Sequence, residues 1–199
     1  MFEIAEYIGI IAFAISGFFV AVRSKLDLLG TLIATFLTAL GGGIIRDITV
    51  DKVPFTFSHN YPALIVVSVL ALLIILRFHK RNSLENKPLF ILSDAIGLVS
   101  FSISGALIGL QNDYNLAGVI IIAFVTAFGG GITRDVIINE IPFILKTGFY
   151  GTISILVALI IYILDMFDFI SFTSLGFLFL FFVTLRMIAY KRKWSIPLL

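Results

Sequence analysis

Two stretches, "GGGIIRD" at residues 41–47 and "GGGITRD" at 129–135, set three glycines directly before an Arg-Asp pair in a chain that is otherwise mostly apolar. Residues of these types could serve three kinds of chemistry. A glycine-rich loop leading into charge could cradle a phosphate, but neither triplet is followed by Lys-Ser/Thr and no strand-like segment precedes it, so that use is excluded. Two aspartates, Asp47 and Asp135, could form an acid pair. Each stands beside an arginine, however, and a neighbouring guanidinium opposes the raised pKa that general-acid work needs. The third use is charge held inside a bilayer, which marks a pathway for ions or solutes.

The other side chains offer no enzyme chemistry. His59 and His79 lie near the ends of apolar runs without metal-ligand spacing, and no histidine stands at the depth of Ser16 or Ser104 to activate a serine. Cysteine is absent, which removes disulfides, thiolate metal sites and thiol nucleophiles together. The expectation is a protein that is not an enzyme, holds no cofactor or metal, and has no nucleic-acid partner.

The elements that position these residues are membrane spans. Of 199 residues 60% are hydrophobic and 13% charged, with a mean hydropathy of +1.12, far from the composition of soluble domains. Seven runs carry no charge: Tyr7–Val22, Leu28–Ile45, Asn60–Leu76, Ala95–Asn112, Tyr114–Thr133, Thr147–Leu164 and Phe169–Leu185. With their flanks they reach the roughly 17 to 25 residues a spanning helix needs. The amino terminus lacks a basic region and a small-residue cleavage pattern, so the first run reads as a retained helix. Arg23, Lys25, Arg77, Lys80, Arg81, Lys87, Lys146, Arg186, Lys191, Arg192 and Lys193 all fall in one set of connecting segments. The opposite set, apart from Arg46 on its helix, holds only Lys52. The positive-inside rule then places the amino terminus outside the cell membrane and the carboxyl terminus in the cytoplasm.

The chain also repeats itself. Shifted by 88 residues, "FAISG" at 13–17 falls on "FSISG" at 101–105, "TALGGGIIRD" on "TAFGGGITRD", and Pro54 on Pro142, with 17 of 42 positions identical between 13–54 and 101–142. Each copy holds three spans, an odd number, so the second must enter the membrane from the other side. The expected fold is an all-α membrane domain over 1–199, made of two inverted three-helix repeats (about 1–80 and 88–165) and a seventh helix at about 169–190. That last helix has no counterpart and reads as a lipid-facing or subunit-packing element.

Within this frame the glycines Gly41, Gly42, Gly43, Gly129, Gly130 and Gly131 cost each helix roughly 3 kcal/mol of propensity. They could bend or break the helix beside a polar path, or let another helix approach closely. Neighbouring residues on a helix point about 100° apart, so Arg46 is expected to look past Asp47 for a partner. The repeat maps Glu6 onto Asp94 and suggests two clusters, Glu6/Arg46/Asp47 toward the outside and Asp94/Arg134/Asp135 toward the cytoplasm. Each could line a path or lock helices together. Ser16, Thr38, Ser104 and Thr126 are expected between the clusters, where they could replace part of an ion's water shell or bond back to their own helices. Carboxylates outnumber guanidiniums among these six charges, which favours cations.

Two three-helix units, each ending its second helix in Gly-Gly-Gly-x-x-Arg-Asp, plus a seventh helix, resemble a prokaryotic member of the trimeric intracellular cation (TRIC) channel family. The resemblance covers nearly the whole chain. It implies a homotrimer in the lipid bilayer whose subunits each carry a potassium-permeable pore, lined by kinked second and fifth helices with help from the first and fourth. By resemblance, the two glycine triplets are the kinks, and Arg46, Asp47, Arg134 and Asp135 are charged groups of the pore. The same superfamily includes bacterial proteins linked to glycine uptake, which keeps a small-solute transporter as the alternative.

Overall fold

A computed structural model describes residues 2–80, 83–146 and 149–194. Arg81 of the basic loop, Thr147 at the expected start of the sixth span and the side chain of Lys146 lie outside the described residues. The α-helices among the described residues are α1 (Phe2–Arg23), α2 (Leu28–Thr49), α3 (Phe55–Ser58), α4 (Tyr61–Ile75), α5 (Ser83–Gln111), α6 (Leu116–Ile137), α7 (Phe143–Lys146), α8 (Gly151–Met166) and α9 (Phe172–Lys191). Five of these, α1, α2, α5, α6 and α9, are long and apolar enough to cross a membrane, and α4 and α8 are shorter apolar helices of 15 and 16 residues. The chain is a multi-pass membrane protein.

The boundary that differs most from the charge-free runs is that of α5. The charge-free run beginning at Ala95 is only part of α5, which starts at Ser83 and carries Asp94 about three turns inside the helix. A charge ends an apolar run without ending a helix.

Local chemistry repeats along with the sequence. The Asp27 side chain caps α2 by accepting from Gly30 N–H at 2.7 Å, and Asn115 caps α6 from Gly118 N–H at 3.0 Å. Lys25 and Asp113 precede these caps in the left-handed conformation, and Asp51 and Asn139 adopt it just after α2 and α6.

Helix α5 is the centre of the molecule, with 89% of its apolar window buried against 28% for α9 at the edge. It lies antiparallel to α1. Glu6 meets Ser104, Gly9 meets Phe101, Gly97 meets Phe13, and Ser16 meets Asp94, each step up one helix matched by the same step down the other. Phe13 and Phe101 each fill the hollow left by a glycine of the other helix and touch edge-on at 5.1 Å. Gly17 of α1 packs on Thr35 and Thr38 of α2, and Gly105 of α5 packs on Ala123 and Thr126 of α6. Small residues at such contacts let backbones approach where lipid supplies no hydrophobic drive.

The glycine triplets sit where α2 crosses α6. A Cβ on Gly41 would lie 3.0 Å from the Cα of Gly130, one on Gly42 would strike the Thr126 carbonyl, and one on Gly130 would strike the Leu37 carbonyl. Of the uses open to the triplets, close approach is the one seen here, and α2 and α6 remain α-helical through Gly43 and Gly131. Close crossing supplies packing that offsets the lost propensity, so the backbone need not open.

Gly42→Ala should therefore force the two helices apart and cost about 1–3 kcal/mol, the usual cost of overpacking. Gly176→Ala, where no atom lies within 4 Å, should be neutral or stabilising. Thermal unfolding in detergent separates the two; equal unfolding temperatures would show that the crossing tolerates a methyl group.

Candidate functional site

The Arg-Asp pairs end α2 and α6, one turn beyond the crossing, so each arginine is carried into protein rather than into lipid. Arg46 is fully buried, at 0% exposure. Its Nη1 donates to Glu6 Oε2 at 2.7 Å and to Ser104 Oγ at 2.8 Å, its Nη2 to Glu6 Oε1 at 3.3 Å, and its Nε to Asp47 Oδ1 at 2.8 Å. Ser104 in turn donates to Glu6 Oε2 at 2.6 Å. The Phe2 ring covers the guanidinium, its centroid 5.1 Å from Cζ. Gly43 makes the room: a Cβ there would come within 3.0 Å of Glu6 Oε1.

The second cluster is built differently. Arg134 pairs with Asp135 Oδ1 through Nη2 at 2.7 Å and Nε at 2.8 Å, and its Nη1 donates to Thr38 Oγ1 at 3.2 Å. Asp94 accepts from Ser16 Oγ at 3.3 Å and from the Tyr150 hydroxyl, with Arg186 and Arg134 as the cations that act on it. A cavity of about 180 Å³ opens here, lined by Thr38, Asp94, Arg134, Asp135 and Tyr150 among others.

In both copies the aspartate has a second task. Asp47 Oδ2 accepts the N–H of Phe55 and Asp135 Oδ2 accepts that of Phe143, each at 2.8 Å, fastening the short helices α3 and α7 to the ends of α2 and α6.

The structure thus brings Glu6, Arg46 and Asp47 together as one group, and Asp94, Arg134 and Asp135 around one cavity, with three corrections. Arg46 does meet Asp47, because its long side chain folds back far enough for Nε to span the angular step between neighbours. Arg134 bonds Asp135 and Thr38 rather than Asp94. Three of the four hydroxyls do not lie between the clusters. Ser104 belongs to the first, and Ser16 and Thr38 to the second, because antiparallel packing brings each serine level with the carboxylate of the other copy. Thr38 and Thr126 also bond back to Ala34 and Ile122 carbonyls at 2.6 Å, the ordinary helical alternative.

Two residues of the second cluster, Tyr150 and Arg186, are not among the site residues expected from the sequence. Arg186, counted there with the basic loop after the last span, is buried at 4% exposure, its Cζ 4.5 Å from the centroid of the Tyr150 ring. Its position inside the apolar run of α9, well before Lys191, was the available signal.

A family model described as glycine transporter matches residues 3–80 and 91–166. The UPF0126 membrane protein YvgT of Bacillus subtilis is 36% identical over 197 residues, covering 98% of this chain and 95% of that protein. Among solved structures, one described under conductance through TRIC cation channels superposes with a TM-score of 0.85 at 37% identity, covering 100% of this chain and 97% of the other. The TRIC trimeric intracellular cation channel orthologue from Rhodobacter sphaeroides superposes with a TM-score of 0.85 at 28% identity, covering 94% and 96%.

Glu6→Gln would leave the buried Arg46 without its main counter-charge, which should cost about 3–5 kcal/mol, whereas Ser104→Ala should cost about 1 kcal/mol. Unfolding temperatures in detergent report both; a Glu6→Gln protein as stable as wild type would mean that the first cluster does not lock α1 to α2.

Proposed function

This chain belongs to the family of the UPF0126 membrane proteins and prokaryotic TRIC channels, and from that premise we propose that it is a potassium-permeable cation channel with one pore in each subunit. The observation that carries the reading is the second-cluster cavity, where a carboxylate and a guanidinium on neighbouring helices face open volume at membrane depth.

In this reading the three spans α1, α2 and α4 and the three spans α5, α6 and α8 are inverted repeats, α9 is the seventh crossing, and the subunits assemble as homotrimers. The antiparallel register of α1 and α5 supports the inversion. The positive-inside distribution puts the amino terminus outside and the second cluster toward the cytoplasm. Helices α2 and α6 line the path with α1 and α5 beside them, and the glycine triplets, poorest in helix propensity, are where those helices bend when the path widens.

The six charges take unequal parts. Asp47 and Asp135 each hold a guanidinium and a backbone N–H, so they brace the walls, while Asp94 accepts from the Ser16 and Tyr150 hydroxyls and stands beside the cavity. Asp94 is the carboxylate placed to favour cations. A carrier of small solutes such as glycine is the second reading, favoured by the description of the family model that matches both halves.

Purified protein in liposomes should pass potassium down its gradient without saturating and should not accumulate labelled glycine. Saturable glycine uptake without potassium flux would overturn the channel. Asp94→Asn should lower the preference for potassium over chloride by roughly tenfold, about 1.4 kcal/mol, and Asp47→Asn by less. Reversal potentials in a salt gradient give the ratio.

A further inference from the structure

We propose that Arg186, on the one long helix without a counterpart in the repeat, positions Asp94 against the wall of the second-cluster cavity and thereby sets the charge that a permeating ion meets there. The proposal rests on the channel reading above.

The two copies differ in how they hold their equivalent carboxylates. Glu6 takes two bonds from Arg46 and a short one from Ser104. Asp94 has only the longer Ser16 bond in common with that arrangement, because Arg134 is engaged by Asp135 and Thr38. What replaces the arginine comes from outside the repeated pattern. Tyr150 stands where the first copy has Pro62, which has no hydroxyl to give, and Arg186 stands on α9. The Tyr150 ring is buried at 5% exposure, carries the Arg186 guanidinium on its face and offers its hydroxyl to Asp94. Desolvated cation–ring contacts of this kind are among the stronger ones. Arg186 Nε has no hydrogen-bond partner, and the guanidinium lies on the Tyr150 ring face.

The position of Asp94 matters because the other charges lining the cavity cancel. Arg23 from α1 and Arg134 from α6 face Asp135 from α6 and Glu140 from the segment after it. Two guanidiniums against two carboxylates leave Asp94 to decide the sign of the field, and a rigidly held group presents its charge at a fixed depth. Arg186 is thus a positioning residue, acting on the path through Tyr150 and Asp94.

The test compares wild type, Arg186→Gln, Asp94→Asn and the double variant in planar bilayers under a potassium chloride gradient. Arg186→Gln should raise the potassium-to-chloride permeability ratio by roughly threefold to tenfold, up to about 1.4 kcal/mol, and should shift it by clearly less in the Asp94→Asn background. Arg186→Lys should restore most of the wild-type ratio. Tyr150→Phe, which keeps the ring and removes the hydroxyl, should shift the ratio the same way by less, and it serves if Arg186→Gln does not assemble. An unshifted ratio, or an equal shift with and without Asp94, would overturn the proposal. If wild type itself carries no current, the channel reading falls instead. Thermal unfolding of the same four proteins then still decides the Arg186 proposal: non-additive losses for Arg186→Gln and Asp94→Asn support the coupling, and additive losses refute it.

Discussion

A guanidinium in the interior of a bilayer can neither lose its proton nor reach water, so its donors must all be met by protein. Arg46 imposes that demand in full. Its partners come from three helices, Glu6 on α1, Asp47 on α2 itself and Ser104 on α5, so satisfying it fixes the relative height and rotation of all three. The glycines follow from the same demand. Gly43 leaves space for the Glu6 carboxylate, and Gly41, Gly42 and Gly130 let α2 and α6 cross closely. Glycine that is costly in an isolated helix thus serves two purposes here, close packing of the helices and room for the charges.

The repeated motif is longer than its seven conspicuous residues. Asp47 and Asp135 reach past their arginines to the N–H groups of Phe55 and Phe143, each the residue after a proline, Pro54 and Pro142. Gly-Gly-Gly makes the crossing, Arg meets a carboxylate, Asp ties the returning chain, and Pro-Phe supplies the backbone donor that Asp requires. An acceptor left unpaired at that depth would be expensive, which is why the aspartate is spoken for at both oxygens.

Much of this could be read from the residues. The repeat, the carboxylates at 6 and 94, the serines at 16 and 104 and the pairing of Glu6 with Arg46 all follow from spacing and periodicity. The corrections have separate physical causes, the first being that a side chain is not a point on a helical wheel. Arg46 reaches its neighbour because the side chain is long and bends back. Asp94 ends a charge-free run without ending its helix, and its depth in α5 brings it level with Ser16, from whose hydroxyl it accepts a hydrogen bond. Arg186 was grouped with the lysines beyond it, although its apolar neighbours on α9 marked it as internal. The choice between bending and packing at the glycines could not be made without the partner helix, since the residue type suits both.

The departure from symmetry bears most directly on function. Two identical copies would give two identical charge clusters, each closed by its own arginine as the first one is. Substituting Tyr150 for a proline and adding α9 with Arg186 gives the second carboxylate a different holder, so Arg134 turns to Asp135 and Thr38, and a cavity of about 180 Å³ remains beside Asp94. In the first cluster Arg46 is fully buried under Phe2. The sequence carries the same motif twice, and the non-repeated helix is what makes the two clusters unequal: one closes around Arg46, while the other holds a carboxylate beside open volume.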